Sequence, residues 1–314
     1  MIYYRNNCST CSFAAITQTI YMKTIGLAVA LFLYQFSFSQ TGIENHYKIY
    51  DTHTKQLTTV DKIATACATA NVIFFGEEHN DSAGHYMEAT IFKALYSQYG
   101  NKLALSMEMF ETDCQLVVNE YLAGFISEDR FIKEGRAWSN YKDYKPAVEF
   151  AKLNKLSVIA ANPPRRYVNM VGRKGMQSLD SLSTAAKKFL PKLPYDTATG
   201  AYRDKFMEFM KGGSPGTSNA RIFYSQSLWD AGMANSIYQY WRKHKEEKIF
   251  HMVGRFHCDE KLGTAAQLQN KSAKLKIINI SSFSDSSFAN PDWEKFSQLG
   301  DYIIMTDPNL KKTY

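Results

Sequence analysis

Six short apolar runs, spaced by helix-length stretches, constrain this chain more than any other feature. They are residues 71–75, 102–107, 156–160, 248–253, 276–280 and 302–305. Each is about 5 or 6 residues, the usual length of a strand. They are nearly continuous in apolar character rather than alternating, as strands covered on both faces are. Between the first two, Asp81 or Ser82 can cap a helix over Ser82–Tyr99 that places Met87, Ile91, Ala94 and Leu95 on one face. Tyr144–Leu153 reads as another helix with Pro146 in its first turn. This alternation predicts an α/β fold, a mostly parallel sheet flanked by helices and joined by right-handed crossovers.

Residues 165–245 interrupt the rhythm. Amphipathic stretches at Ser178–Leu190, Tyr202–Met210 and Ile222–Lys243 predict an inserted helical subdomain, broken at Gly212-Gly213-Ser214-Pro215-Gly216. The α/β domain then comprises residues 40–164 and 246–314. Ser281–Ser287 reads as a polar, solvated loop.

Ahead of residue 40, Met22-Lys23, an apolar stretch from Thr24 to Phe36 and small residues at Ser37 and Ser39 form a signal-peptide pattern with cleavage before Gln40. Residues 1–21 read as an over-extended start. The expectation is an exported protein of the periplasm or cell surface. Without a lipid-acceptor cysteine near the cleavage point, tethering by lipid is not indicated. The net charge of +7 is spread along the chain, with no basic stripe to suggest a nucleic-acid partner. Cys8 and Cys11 fall in the leader, and Cys67, Cys114 and Cys258 are an odd set that implies no disulfide framework.

In open parallel sheets, ligands sit beyond the carboxyl ends of the strands. The first run delivers Gly76-Glu77-Glu78-His79 to that edge, with His85 soon after. The second delivers Glu108, the third Arg165 and Arg166, and the fourth Gly254-Arg255-Phe256-His257. Gln226 and Asp230 share a helix face one turn apart. Histidines with carboxylates can hold a divalent transition metal, with His79, His257 and Glu77 as ligands. The same set can run acid–base chemistry on water, with Glu78 or Glu108 as the catalytic carboxylate. Gly76 would let the backbone turn sharply out of its strand. Each residue also has a structural reading: helix cap, ion-pair partner, core histidine or solvated face. Adjacent residues at a strand end point opposite ways, so His257 and Cys258 make a poor nucleophilic pair.

The ordered series Val72–Asp81 with His85, Ser106–Phe110, Tyr144-Lys145-Pro146, Val158–Arg165, Gln226–Ala234 and Gly254–His257 resembles the ChaN-like haem-binding uptake proteins. That resemblance implies a parallel α/β domain with a small helical unit. It implies haem as cofactor, with tyrosine as the suggested iron ligand; Tyr141, Tyr144, Tyr167, Tyr202 and Tyr224 are the candidates. Within such a haem site, His79, His85, Arg165, Arg166, Gln226 and Asp230 are the expected contacts, the arginines pairing with propionates. A homodimer sharing a haem pair and outer-membrane uptake machinery are the partners it implies. The bulky Arg255-Phe256 departs from the family pattern and is expected to reshape the pocket. A wider superfamily, with erythromycin esterases and Wnt-cleaving metalloproteases, looks similar at Glu77 or Glu78, His79, Glu108 and His257, and implies a hydrolase as the alternative.

Overall fold

In a computed structural model that describes residues 42–212 and 219–314, all six apolar runs are strands of one eight-stranded sheet. The segment expected to be a signal peptide, Cys8, Cys11 and most of the glycine-rich break at 212–216 lie outside the described residues. The unit from His46 to Tyr314 carries everything that follows.

The strands are β1 (Tyr47–Asp51), β2 (Gln56–Leu57), β3 (Val72–Glu77), β4 (Leu103–Glu111), β5 (Val158–Asn162), β6 (Lys248–Gly254), β7 (Ile277–Ser284) and β8 (Tyr302–Thr306). Their order is β2-β1-β8-β7-β3-β6-β4-β5. Strands β3 to β8 pair in parallel, and β1 runs antiparallel to both β8 and β2. The chain runs from β3 to β4 and β5 on one side, returns through β6, then passes to β7 and β8 on the other. The reversal lies at β3 and β6, where Glu77 pairs with Gly254 in register.

The helices used below are α1 (Val60–Ala66), α2 (Ser82–Tyr99), α3 (Gln115–Leu122), α4 (Glu128–Glu134), α5 (Tyr141–Leu153), α6 (Arg165–Lys174), α7 (Ala201–Phe209), α8 (Asn219–Lys243) and α9 (Gly263–Lys271). One face of the sheet packs Ile73, Phe75, Leu105 and Phe250 against Ile63 of α1, Met87, Ile91 and Leu95 of α2, and Val148 of α5. The other packs Val72, Phe74, Ala104 and Ile249 against Met233, Ala234 and Ile237 of α8 and Leu268 of α9. Successive residues of β3 face opposite layers and both layers are apolar, hence the unbroken apolar run.

Helix α8 serves two cores. Leu228 and Ala231 turn toward Val168 and Val171 of α6 in a separate helical cluster, while Met233 and Ile237 lie on the sheet. Its close seat explains Gly232, where an added Cβ would lie 2.5 Å from Cδ of Pro163.

Three local expectations change. Helix α5 begins at Tyr141, so Pro146 falls in its second turn. The serine run is no solvated loop: Ser281 and Ser282 are buried inside β7, which extends to Ser284 between β3 and β8. Gly76 stays within β3, and what it provides is space, since a Cβ would meet Sγ of Cys258 at 2.5 Å and Cα of Arg255 at 3.0 Å. No helix among the described residues is long and apolar enough to cross a membrane.

Candidate functional site

A cavity of about 780 Å³ opens at the carboxyl ends of β3, β4 and β6. Buried Glu108 and His257 and half-buried His79 line its inner part, Trp138 and Trp229 give it aromatic walls, and Arg136, Arg165 and Tyr314 reach it from the exposed side.

His79 leaves β3 two residues after Glu77. Its Nδ1 is 2.9 Å from Oε1 of Glu77, so this nitrogen carries the proton and Nε2 is left toward the cavity. The ring packs edge-on to Trp138 at 5.1 Å. Burial works against its charge, but the Glu77 hydrogen bond and the Glu108 and Glu77 carboxylates outweigh it and raise its pKa. Tyr144 donates to the same Glu77 Oε1 at 2.8 Å.

His257 is held the same way. Its Nδ1 donates to Oδ1 of Asp230 at 2.7 Å. Thr264 donates to Oδ1 at 2.8 Å, and Tyr202 donates to Oδ2 at 2.7 Å. Burial opposes the His257 charge, but Asp230 and Glu108 prevail and the pKa is raised to about 9. Glu108 stands between the histidines. Its Oε2 accepts the Gly254 N–H at 2.7 Å, and its Oε1 lies 3.8 Å from Nε2 of His257. The site is thus two histidines, each backed by a buried carboxylate, with a third carboxylate between them.

Several expected residues stand elsewhere. Glu78 points away from the cavity, because neighbours along a strand face opposite ways, and accepts from the N–H and hydroxyl of Ser284 at 3.2 and 3.0 Å. It cannot share chemistry with Glu108. Arg166 is spent on Asp113 and lies over the Tyr167 ring. Arg165 alone of the pair lines the cavity, and among the described residues it has no hydrogen-bond or ionic partner. Gln226 and Asp230 are buried behind His257 rather than solvated, and the Gln226 amide donates to the Tyr202 hydroxyl at 3.0 Å.

The donors of His79, His257 and Glu77 do not converge on one point. Among the described residues, the convergent set is Glu77, His85 and Glu88, below the cavity floor. His85 is buried there and does not line the cavity. Burial opposes its charge, yet the Glu88 and Glu77 carboxylates raise its pKa to about 10, while burial lifts Glu88 to about 8.

None of the five candidate tyrosines lines the cavity. Tyr144 and Tyr202 are buried donors to carboxylates, and Tyr314 is the tyrosine that reaches the cavity. Neither Arg255 nor Phe256 lines the cavity. Arg255 pairs with Asp259 at 2.8 Å, and Phe256 packs on Tyr202 and Phe206. Cys258 is buried against Gly76, and burial pushes its thiol pKa well up, which removes it as a nucleophile. His251 is a core residue bonded to the Ser106 hydroxyl at 2.9 Å, and burial lowers its pKa to about 3.

The sequence profile described as haem-binding uptake, Tiki superfamily, ChaN matches residues 63–268. The chain belongs to this family. Among solved structures it is similar to ChaN of Campylobacter jejuni, a structure described as showing cofacial haem binding. The identity is 18%, the TM-score is 0.64, and the match covers 83% of this chain and 97% of that one. At this identity the likeness establishes the shared fold. An erythromycin esterase in its open conformation also matches, at 10% identity and TM-score 0.46 over 83% of each chain. No curated protein sequence matches.

Trp138, Arg136 and Tyr314 went unnoticed in the sequence and Trp229 entered only within the family motif; they come from a loop, the last described residue and helix α8 rather than from strand ends. Glu88 had a signal. It interrupts the inward face of α2 one turn after His85, between Met87 and Ile91.

Proposed function

We propose that this ChaN-family chain binds haem in the cavity at the ends of β3, β4 and β6, with Nε2 of His79 as iron ligand. The observation that carries the reading is the state of His79: Nδ1 is committed to a buried carboxylate and Nε2 is presented to an aromatic-walled cavity. A ligating histidine whose other N–H is held by a carboxylate is oriented and made more basic. Trp138 and Trp229 suit the macrocycle, and Arg165, with no partner among the described residues, suits a propionate. The cavity falls within the usual range for cofactor sites, about 300–1,000 Å³. The Campylobacter jejuni protein's cofacial haem binding supports the same cofactor.

Hemin titration of the purified chain is expected to give a saturable Soret shift. Arg165→Ala should weaken binding by about tenfold, the equivalent of about 1.4 kcal/mol for a lost charge-assisted contact. Absence of a shift at micromolar hemin, or an unchanged affinity in the variant, would count against this placement.

A second reading is favoured by Glu108, a buried carboxylate set between two carboxylate-backed histidines. That arrangement suits general acid–base attack of water on an ester or amide. It requires hydrolysis of at least one member of an ester and peptide panel, falling at least about a hundredfold in Glu108→Gln. A wild-type chain inert across the panel would dismiss it.

A further inference from the structure

Below the cavity floor, where β3 gives way to α2, lies a second cluster. Nδ1 of His85 is 3.0 Å from Oε1 of Glu88 and 3.2 Å from Oε2 of Glu77. All three side chains are buried. Nε2 of His85 lies 3.0 Å from the His79 carbonyl oxygen. A carbonyl only accepts, so Nε2 carries the hydrogen. In the neutral ring, Nδ1 is then a bare lone pair aimed at two carboxylate oxygens. The other oxygen of Glu88 and the same Oε2 of Glu77 are buried and accept no hydrogen bond. No lysine or arginine among the described residues pairs with either carboxylate.

Three acceptors facing one another need a positive centre. Without a metal the cluster balances its charge only by taking up protons, on His85 and on Glu88, whose pKa burial lifts to about 8, and Oε2 of Glu77 and of Glu88 stay buried with no hydrogen bond to either, a costly state. A divalent cation neutralises both carboxylates and uses the lone pair. The spacing agrees. Metal–ligand bonds of about 2.0–2.2 Å at tetrahedral or octahedral angles separate adjacent donors by roughly 3.0–3.5 Å. The histidine also has the companion bond that ligating histidines have, its second N–H on a backbone carbonyl.

We propose that Glu77, His85 and Glu88 hold one divalent cation of the manganese or zinc class, separate from the ligand cavity. One imidazole with carboxylate oxygens suits those ions. Glu77 links the two places. One of its oxygens faces the cation site, and the other holds Nδ1 of His79 and the Tyr144 hydroxyl. The cation therefore acts as a positioning element, fixing the Glu77 carboxylate and, through it, the orientation of His79.

The test is Mn²⁺ binding to chelator-treated full chain, followed by electron paramagnetic resonance, with pulsed detection of coupled nitrogens. One Mn²⁺ per chain with a single imidazole nitrogen is expected. Glu88→Gln should lose at least tenfold in Mn²⁺ affinity, while the cavity variant Glu108→Gln retains it. Zn²⁺ should raise the melting temperature of wild type, which keeps a readout should Glu88→Gln fail to fold. Absence of stoichiometric binding would overturn the proposal, leaving a shared proton in the cluster. So would two coupled nitrogens, or equal losses in the two variants, since either would move the ion up to His79 and His257.

Discussion

Asp230→Ala is expected to destabilise the chain by about 3–5 kcal/mol, the usual cost of removing one partner from a buried ion pair. Asp230 is fully buried and accepts from His257, Tyr202 and Thr264 at once. Its removal leaves an imidazolium and two hydroxyls without acceptors in a region closed to water. Urea denaturation would measure the loss. Asp230→Asn keeps the shape and removes the charge, so it should cost less, and it should change the pH profile. In the wild type the folded pKa of His257 stands at about 9 against an ordinary 6.5. A raised pKa means the folded state favours the proton. That contribution is therefore complete below about pH 6.5 and is lost as pH rises through about 9. At 1.36 kcal/mol per unit it is on the order of 3 kcal/mol. His79 and His85 share this direction, so the difference between wild type and Asp230→Asn isolates His257. Parallel stability profiles for the two proteins between pH 6 and 10 would refute the assignment.

The parallel part of the fold was legible because each of its strands is covered on both faces. A residue such as Phe74 packs toward α8 and its neighbour Phe75 toward α2, and both must be apolar. Strand β1 gave no such signal. In Tyr47-Lys48-Ile49-Tyr50-Asp51 only Ile49 and Tyr50 are buried, and its partner β2 is two exposed residues. The serines of β7 misled for the opposite reason, since Ser281 and Ser282 are small enough to be buried in a crowded sheet centre and look solvated only by composition. At the site, the strand-end rule found His79, Glu108 and His257 because the sheet reversal brings the ends of β3, β4 and β6 together. It failed to choose between Glu77 and Glu78. That choice rests on which way the last strand residue faces, and Glu77 faces inward because Phe75, two residues earlier, belongs to the same layer. Contacts supplied by loops and by helix packing, such as Trp138 over His79 or Asp230 behind His257, depend on tertiary placement that no local pattern encodes.

Gly254→Ala is expected to cut hemin affinity by at least about tenfold, or about 1.4 kcal/mol, with a much smaller effect on folding than Asp230→Ala. Gly254 adopts φ −56° and ψ 132°, a conformation open to any residue, so its need is for room. A Cβ there would lie 2.9 Å from both Cε1 and Nε2 of His79 and 3.5 Å from Oε2 of Glu108. The first contact is too close to persist. Gly254 is fixed by its sheet pairing with Glu77 and by its N–H on Glu108, so the backbone is the stiffer partner. His79 is about one-third exposed and borders the cavity, so the ring is what yields. Movement outward stretches the 2.9 Å bond to Glu77 and carries Nε2 into the space the ligand would fill. Both effects act on the proposed iron ligand and neither touches the core layers of the sheet. The measurement is a hemin titration of Gly254→Ala beside His79→Ala, with melting curves on both. Matching losses of affinity at near-native melting temperature are expected. A Gly254→Ala chain that bound hemin as tightly as wild type would show that the ligand does not depend on the His79 ring standing where Gly254 permits it.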